Sequence, residues 1–180
     1  MMSFKNLLKN DKTEEKYKTY IQEHISNVLK IYESIKTEIN KNLNNEKSLQ
    51  LAINIYLHDK SKYSEYEFYG YKQYFYPNDK EVKNQDMFDL AWNHHQKTNK
   101  HHWEYWILIS GKEMKPLPMD YIYIIEMLCD WSAMSLKFND KPSEFYNKNK
   151  NKILLHCETE YYVENLLNLF DNTVKDLKNE

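Results

Sequence analysis

The chain has 180 residues, a formal net charge of −2, and only two glycines and four prolines. Its length is sufficient for one domain with a substantial core, so we predict a single domain over residues 1–180. The near-neutral charge excludes a general attraction to duplex nucleic acid or to anionic membranes. Because a sandwich or barrel needs many turns, the scarcity of glycine and proline indicates an all-α fold.

The cysteines and the N-terminal segment indicate the compartment. Cys129 and Cys157 have neither the number nor the spacing of a disulfide framework or a zinc site. The segment MMSFKNLLKNDKTEEK has no apolar run long enough for a signal peptide. No stretch approaches the roughly 20 apolar residues of a membrane span. We therefore expect a cytoplasmic protein that does not bind membranes.

The first two predicted helices contain the first histidines of interest. An apolar stripe with i, i+3, i+4 spacing predicts a helix over residues 14–40, and His24 lies in the middle of that stripe. The next helix, about 47–59, is apolar nearly all round, which predicts a position at the centre of a bundle. It ends in the doublet His58-Asp59.

Turn residues divide the middle of the chain. Ser64, with Glu67 three residues later, matches a capping box and predicts the start of an aromatic helix to about Tyr76. A further helix is predicted over about 82–97. After an interruption at Asn99 and Lys100, the sequence HHWEYWILI is predicted as a short separate segment.

The C-terminal part begins with a predicted loop at 110–119, which contains two prolines. Asp120 can cap a helix to about residue 137, on which Glu126 and Asp130 lie one turn apart on the same face. We predict about six to eight helices: a core of about 14–137 that carries the site, and C-terminal packing helices within 143–178, at about 143–157 and 160–177.

Six of the seven histidines form an ordered series with two aspartates, in the order His24, His58-Asp59, His94, His95, His101, His102 and Asp130. Imidazole nitrogen and carboxylate oxygen together suit divalent Mn, Fe, Co, Zn or Ni, with Mg a further option. A helical core can gather such ligands from separate helices. We therefore predict a divalent metal site.

Each member of the series also has a simpler interpretation. A lone inward histidine such as His24 is more often a hydrogen-bonded core residue. Asp130 within an apolar helix needs a partner, which can be a lysine, a helix terminus or a metal. The joint order of the residues favours the metal.

The four histidines of WNHHQKTNKHHWEYW cannot all be equivalent. Neighbouring residues on a helix diverge by about 100°, and His95 is the better inward candidate of its pair. His101 and His102 start a new segment, where both can turn inward. We favour His95, His101 and His102 as additional ligands and place His94 behind the ligands or at the surface. Which of the four bind metal stays open.

The order H…HD…D resembles the HD-domain superfamily of metal-dependent phosphohydrolases, with His24, His58, Asp59 and Asp130 at the matching positions. The runs HDKSKYSEYEF, NKHHWEYW and EMLCDWSAM are more similar to an uncharacterised family of small HD-like proteins from phages and low-GC bacteria. That similarity covers most of residues 20–137. It implies an HD-domain-like helical bundle and, for a phage-encoded protein, the host cytoplasm.

Members of the superfamily with additional histidines between the doublet and the last aspartate usually hold two metal ions, so the resemblance implies one or two ions here. It also implies hydrolysis of a nucleotide or related small phosphoester through a metal-activated water. Asp59 would hold the metal and orient the water, and Glu126 would act as a base or support a ligand. The chain contains no arginine, so its phosphate contacts must be lysines, and Lys62 lies three residues after Asp59. The alternative for Lys62 is a solvated surface residue.

Three tryptophans near the predicted ligands have two interpretations. Trp103, Trp106 and Trp131 either pack in the core or form a stacking wall for a nucleobase. Two other functions stay open for the whole chain: an HD-fold di-iron oxygenase and a non-catalytic protein that binds or sequesters a nucleotide. The sequence also leaves a homo-oligomer open.

Overall fold

The computed structural model describes residues 12–179. Within this range it contains seven α-helices and one two-stranded sheet, which confirms the prediction of an all-α fold with about six to eight helices. The elements are α1 Lys12–Asn40, α2 Asn45–Leu57, α3 Glu65–Phe75, α4 Gln85–Thr98, β1 Ile107–Ser110, β2 Glu113–Pro116, α5 Tyr121–Phe138, α6 Pro142–Asn149 and α7 Cys157–Lys178. Two 3-10 turns lie at Lys60–Tyr63 and Trp103–Trp106.

The described residues divide into two compact units. The first comprises residues 12–23 and 60–95, and the second comprises residues 24–59 and 96–179. The prediction of one domain over 1–180 stays a prediction. No helix among residues 12–179 combines the length and apolar character needed to cross a membrane.

Helix α5 is the most extensively buried helix of the second unit, and it packs against α2, α6 and α7. It begins where predicted, because the Asp120 carboxylate accepts a hydrogen bond from the Ile122 backbone N–H at 3.3 Å. Its central residues are buried on every side, including Ile124, Ile125 and Leu128. This burial holds the polar side chains of α5 in a fixed, largely dry environment.

The prediction that α2 lies at the centre of a bundle is wrong. Only Leu51 and Ile55 are buried on it, whereas Leu49 is 63% exposed and Tyr56 is 67% exposed. Because α5 already occupies the centre of this unit, α2 packs through one face and leaves Leu49, Ile53, Tyr56 and Leu57 exposed.

The first unit is built around aromatic side chains and one close helix contact. The ring of Tyr17 lies 5.2 Å from that of Phe68. Helix α3 approaches α4 at Gly70, where an added Cβ would lie 2.6 Å from the backbone oxygen of Met87 and 2.7 Å from the Cβ of Ala91. Only glycine fits this approach.

Two predicted elements in the second unit differ from the structure. Part of the predicted loop 110–119 forms a hairpin, in which β1 pairs antiparallel with β2 and Gly111 adopts φ +65° in the turn. The predicted helix 143–157 ends at Asn149, because the sequence NKNKNK that follows Tyr146 offers no apolar face to bury. Helix α7 begins at Cys157 rather than at 160.

Candidate metal centre

The doublet His58-Asp59 lies just beyond the end of α2. His58 is the C-terminal cap of the helix, and Asp59 has φ +55°, in the left-handed region. A residue with a side chain pays roughly 1–2 kcal/mol for this conformation, although aspartate tolerates it better than most. Since the chain has left the helix here, the two adjacent side chains are not forced about 100° apart and can turn towards the same place.

Four side chains of the second unit converge in this buried region. His24 Nε2 lies 3.1 Å from Asp130 Oδ1 and 3.3 Å from Asp59 Oδ2. His58 Nε2 lies 3.7 Å from Asp59 Oδ2 and 3.9 Å from Asp130 Oδ1. His24, His58 and Asp59 are buried, and the side chain of Asp130 is 16% exposed.

These separations fit ligands of one ion. Two atoms that each lie about 2.1 Å from a metal are about 3.0 Å apart at a right angle and about 3.4 Å apart at a tetrahedral angle. Ligand atoms of His24, His58 and Asp130 lie within 4.8 Å of one another. The buried Nε2 of His58 has no hydrogen-bond partner among the described residues, as expected for a nitrogen that offers its lone pair to a cation. The cluster could therefore hold a metal ion.

Glu126 lies behind the histidines. Its Oε1 is 3.1 Å from Nδ1 of His58 and 3.1 Å from Nδ1 of His101. Burial raises the pKa of Glu126, but the hydrogen bonds from His101 and His58 outweigh it and lower that pKa to about 2. An ionised carboxylate accepts both Nδ1–H groups and leaves each Nε2 as the ligand atom.

The protonation of His24 depends on the carboxylates beside it. Burial lowers the pKa of His24, but hydrogen bonds to Asp130 and Asp59 outweigh it and raise that pKa to about 9. Burial opposes the ionised form of Asp130, yet His24 holds its pKa below the usual range. Burial lowers the pKa of His58, which keeps this ring neutral. In the metal-free protein a proton on His24 thus balances part of the carboxylate charge.

A second group of ligand atoms adjoins the other oxygen of Asp59. His101 Nε2 lies 3.6 Å from Asp59 Oδ1, whereas Oδ2 faces His24 and His58. His102 belongs to the same group, with ligand atoms within 4.8 Å of one another. Its Nδ1 lies 3.8 Å from a carboxylate oxygen of Glu104. The two oxygens of Asp59 can therefore serve two ions.

The first unit contains a carboxylate–histidine cluster around Glu67. The predicted capping box is wrong, because the Ser64 side chain caps nothing and Glu67 turns elsewhere. Glu67 is fully buried, and its two oxygens lie 2.7 Å from His94 Nδ1 and 2.8 Å from His95 Nδ1. The Ser61 hydroxyl donates to the same carboxylate at 3.0 Å. The sequence missed Glu67 as a functional candidate because its capping pattern gave it a local explanation.

The first unit contains the histidine pair His94 and His95 and the predicted phosphate contact Lys62. His95 is fully buried, as its inward prediction requires, and His94 is partly exposed and stacks on Tyr66 at 5.2 Å. The Lys62 ammonium lies 5.7 Å from the centre of the Tyr71 ring. The roles of His95 as a ligand and of Lys62 as a phosphate contact stay predictions.

The three tryptophans have different environments. Trp131 is buried, with its ring 6.1 Å from that of Tyr146 in a stacked arrangement. Trp103 and Trp106 are only partly buried, and the Trp106 indole N–H donates to the Lys100 carbonyl at 2.8 Å. Trp131 therefore packs in the core, and Trp103 and Trp106 pack against it while partly buried. A stacking wall stays a prediction for these two.

A protein-family model matches residues 13–169, a range that includes every predicted ligand. The chain belongs to the family of unknown function DUF5662. The description of this family names no activity. No curated protein and no solved structure matches the chain. The resemblance to the HD-domain superfamily stays a prediction.

Proposed function

We propose that this DUF5662 protein is an HD-type, metal-dependent phosphohydrolase that acts on a nucleotide or a related small phosphoester. The observation that carries the proposal is the convergence of His24, His58, Asp59 and Asp130 in one buried cluster. These are the residues that match the superfamily pattern H…HD…D. The four residues are distant from one another in the sequence, but their side chains lie as close together as ligands of one ion must.

The donor set supports a transition-metal ion. Imidazole nitrogens from His24 and His58, with carboxylate oxygens from Asp59 and Asp130, suit Mn, Fe, Co, Zn or Ni better than Mg, which prefers oxygen. When bound, such an ion lowers the pKa of a coordinated water and polarises a phosphoryl oxygen. The chain itself must supply the ligands, the orientation of water and the contacts to the substrate.

Asp59 is the candidate to orient a water molecule. It is ionisable, it is buried, and its two oxygens face different histidines. Glu126 is less suited to act as a general base, since its pKa of about 2 is far below neutral pH and its Oε1 faces the Nδ1 atoms of His58 and His101. We assign Glu126 the role of holding those two rings.

The substrate class rests on the superfamily resemblance together with the aromatic residues. Trp103 and Trp106, which are partly buried, are the candidates to stack on a base. Lys62 is the candidate for a phosphate contact, because the chain has no arginine to provide a bidentate one. A mononucleotide has a planar base that can stack on the tryptophans and a phosphate that can bind the lysine.

The direct test is a panel of nucleoside mono-, di- and triphosphates and simple phosphoesters, assayed with the metal-free protein after addition of Mn, Co, Fe, Zn or Ni. We expect release of phosphate or pyrophosphate that disappears in His58→Ala and Asp59→Ala. Absence of turnover with every metal, from a folded protein that binds metal, would contradict the proposed activity.

A di-iron oxygenase is the second candidate. The observation that favours it is the bridging position of Asp59 between His24 and His101. This candidate predicts co-purified iron with an optical band, and oxygen consumption in the presence of substrate. A non-catalytic protein would instead bind nucleotide tightly without either reaction.

A further inference from the structure

Glu67 is a fully buried carboxylate that the proposed function does not use. Both of its oxygens contact imidazole: Oε1 lies 2.7 Å from His94 Nδ1, and Oε2 lies 2.8 Å from His95 Nδ1. The Ser61 hydroxyl donates to Oε2 at 3.0 Å. Removing a carboxylate from water is costly unless hydrogen bonds replace its hydration, and three contacts do so here.

These contacts fix which nitrogen of each ring carries hydrogen. An ionised carboxylate only accepts hydrogen bonds, so Nδ1 of His94 and of His95 must be the donor. The two imidazoles and the Ser61 hydroxyl surround its oxygens as hydrogen-bond donors, which favours the charged form of the Glu67 carboxylate. A neutral ring with hydrogen on Nδ1 has its lone pair on Nε2. Metal-binding histidines commonly have this arrangement.

A second carboxylate makes the same contacts in the other unit. Glu126 Oε1 lies 3.1 Å from Nδ1 of His58 and from Nδ1 of His101. His58 is a proposed ligand whose Nε2 has no hydrogen-bond partner among the described residues. Each unit therefore uses one buried glutamate to hold two imidazoles through Nδ1.

A catalytic triad does not explain the Glu67 cluster. Ser61 Oγ lies 3.2 Å from His95 Nδ1, the same nitrogen that faces Glu67. In a triad the carboxylate and the nucleophile contact opposite nitrogens of the ring. The serine therefore supports the carboxylate and is not activated by the histidine.

We propose that Glu67 is a positioning residue for metal binding, which presents Nε2 of His95 to a divalent ion additional to the ion held by His24, His58 and Asp130. This inference rests on the proposed metal dependence. His94 Nδ1 contacts the other oxygen of Glu67, Oε1, and so fixes the rotation of this carboxylate. The ring of Tyr66 stacks on the ring of His94. Glu67 itself contacts neither substrate nor metal.

The test is a titration of metal-free protein with Co²⁺, in which d–d absorption and a competing chelator report each equivalent separately. We expect at least two equivalents for the wild type. In Glu67→Gln the first should bind as before, and the second should bind about 10- to 100-fold more weakly. Glu81→Gln is the matched control, because Glu81 pairs with Lys72 in the same unit and contacts no histidine of the cluster.

The outcomes separate this inference from the proposed function. A folded Glu67→Gln protein with two wild-type affinities overturns the inference alone, as does a wild type that binds a single equivalent. A lower melting temperature with unchanged metal affinities marks a purely structural role and also overturns it. A wild type that binds no divalent ion contradicts the proposed function itself.

If Glu67→Gln does not fold, the wild-type protein still provides a test. The ¹⁵N shifts of the imidazoles in the metal-free protein report the tautomer of each histidine. For His95 we expect hydrogen on Nδ1 and an unprotonated Nε2. The opposite tautomer, with hydrogen on Nε2, overturns the inference.

Discussion

Replacement of Glu126 by glutamine tests whether this carboxylate holds the metal ligands. The change keeps the shape of the side chain but removes the charge that accepts Nδ1–H from His58 and His101, each at 3.1 Å. A hydrogen bond to a charged group contributes about 1.5–3 kcal/mol, and a neutral one about 0.5–1.5 kcal/mol. The weakening of both hydrogen bonds therefore removes about 2–3 kcal/mol of the interaction energy that holds the two rings. Groups that support metal ligands in this way typically change metal affinity by 10- to 100-fold, which corresponds to roughly 1.4–2.7 kcal/mol.

The assay is competition for Zn²⁺ or Co²⁺ against a chromophoric chelator, with circular dichroism to confirm folding. We expect Glu126→Gln to bind the first equivalent about 10- to 100-fold more weakly than the wild type. Glu160→Gln is the control, because Glu160 accepts a hydrogen bond from Tyr146 at 3.2 Å and contacts no proposed ligand. An affinity for Glu126→Gln within about twofold of the wild type would refute the reasoning.

Three further predictions concern metal removal, pH and packing. Chelation should destabilise the protein by about 2.7 kcal/mol relative to a metal concentration of 100 Kd; an unchanged thermal melt would count against a bound ion. In the metal-free protein the pKa of His24 is raised from 6.5 to about 9, so its ion pairs stabilise the fold fully below about pH 6.5, and this contribution is lost as pH rises through 9. Because the ion must displace that proton, metal affinity should rise up to about tenfold per pH unit between pH 7 and 9 in a pH-resolved titration; a flat profile would exclude a protonated His24. Gly70→Ala should lower the free energy of unfolding in urea by about 1–3 kcal/mol, because its Cβ meets the Met87 backbone oxygen at 2.6 Å; equal stability would show that α3 and α4 can separate without cost.

The central residues of the candidate metal centre were predictable because their signals are local and periodic. His24 falls on an apolar helical stripe, and it is buried as that stripe requires. Glu126 and Asp130 are four residues apart on α5, which places both on one face, and both contact histidines. The doublet at 58 and 59 was identified by its order in the chain, although its left-handed turn at Asp59 was not.

Glu67 was not predictable because its partners are distant in sequence. It contacts residues 27 and 28 positions later, His94 and His95. The spacing of Ser64 and Glu67 matches a capping box, which explains a glutamate at this position without any distant partner. Only the packing of α3 against α4, which Gly70 allows, brings the carboxylate to the histidines.

The errors in the fold have similar physical causes. The hairpin of β1 and β2 had a usable signal in Gly111, which follows an apolar run and precedes a second extended segment. The two nearby prolines favoured a loop instead. The burial of α2 was overestimated because composition cannot tell which apolar helix of a unit takes the centre, and α5 takes it here.

Elemental analysis of the protein purified without chelators tests the central claim most directly. We expect at least one equivalent of Mn, Fe, Co, Zn or Ni per chain in the wild type and a large loss in His58→Ala, which removes an imidazole from the buried cluster. A folded wild type without bound metal, which also takes up none of these ions on addition, would contradict the account.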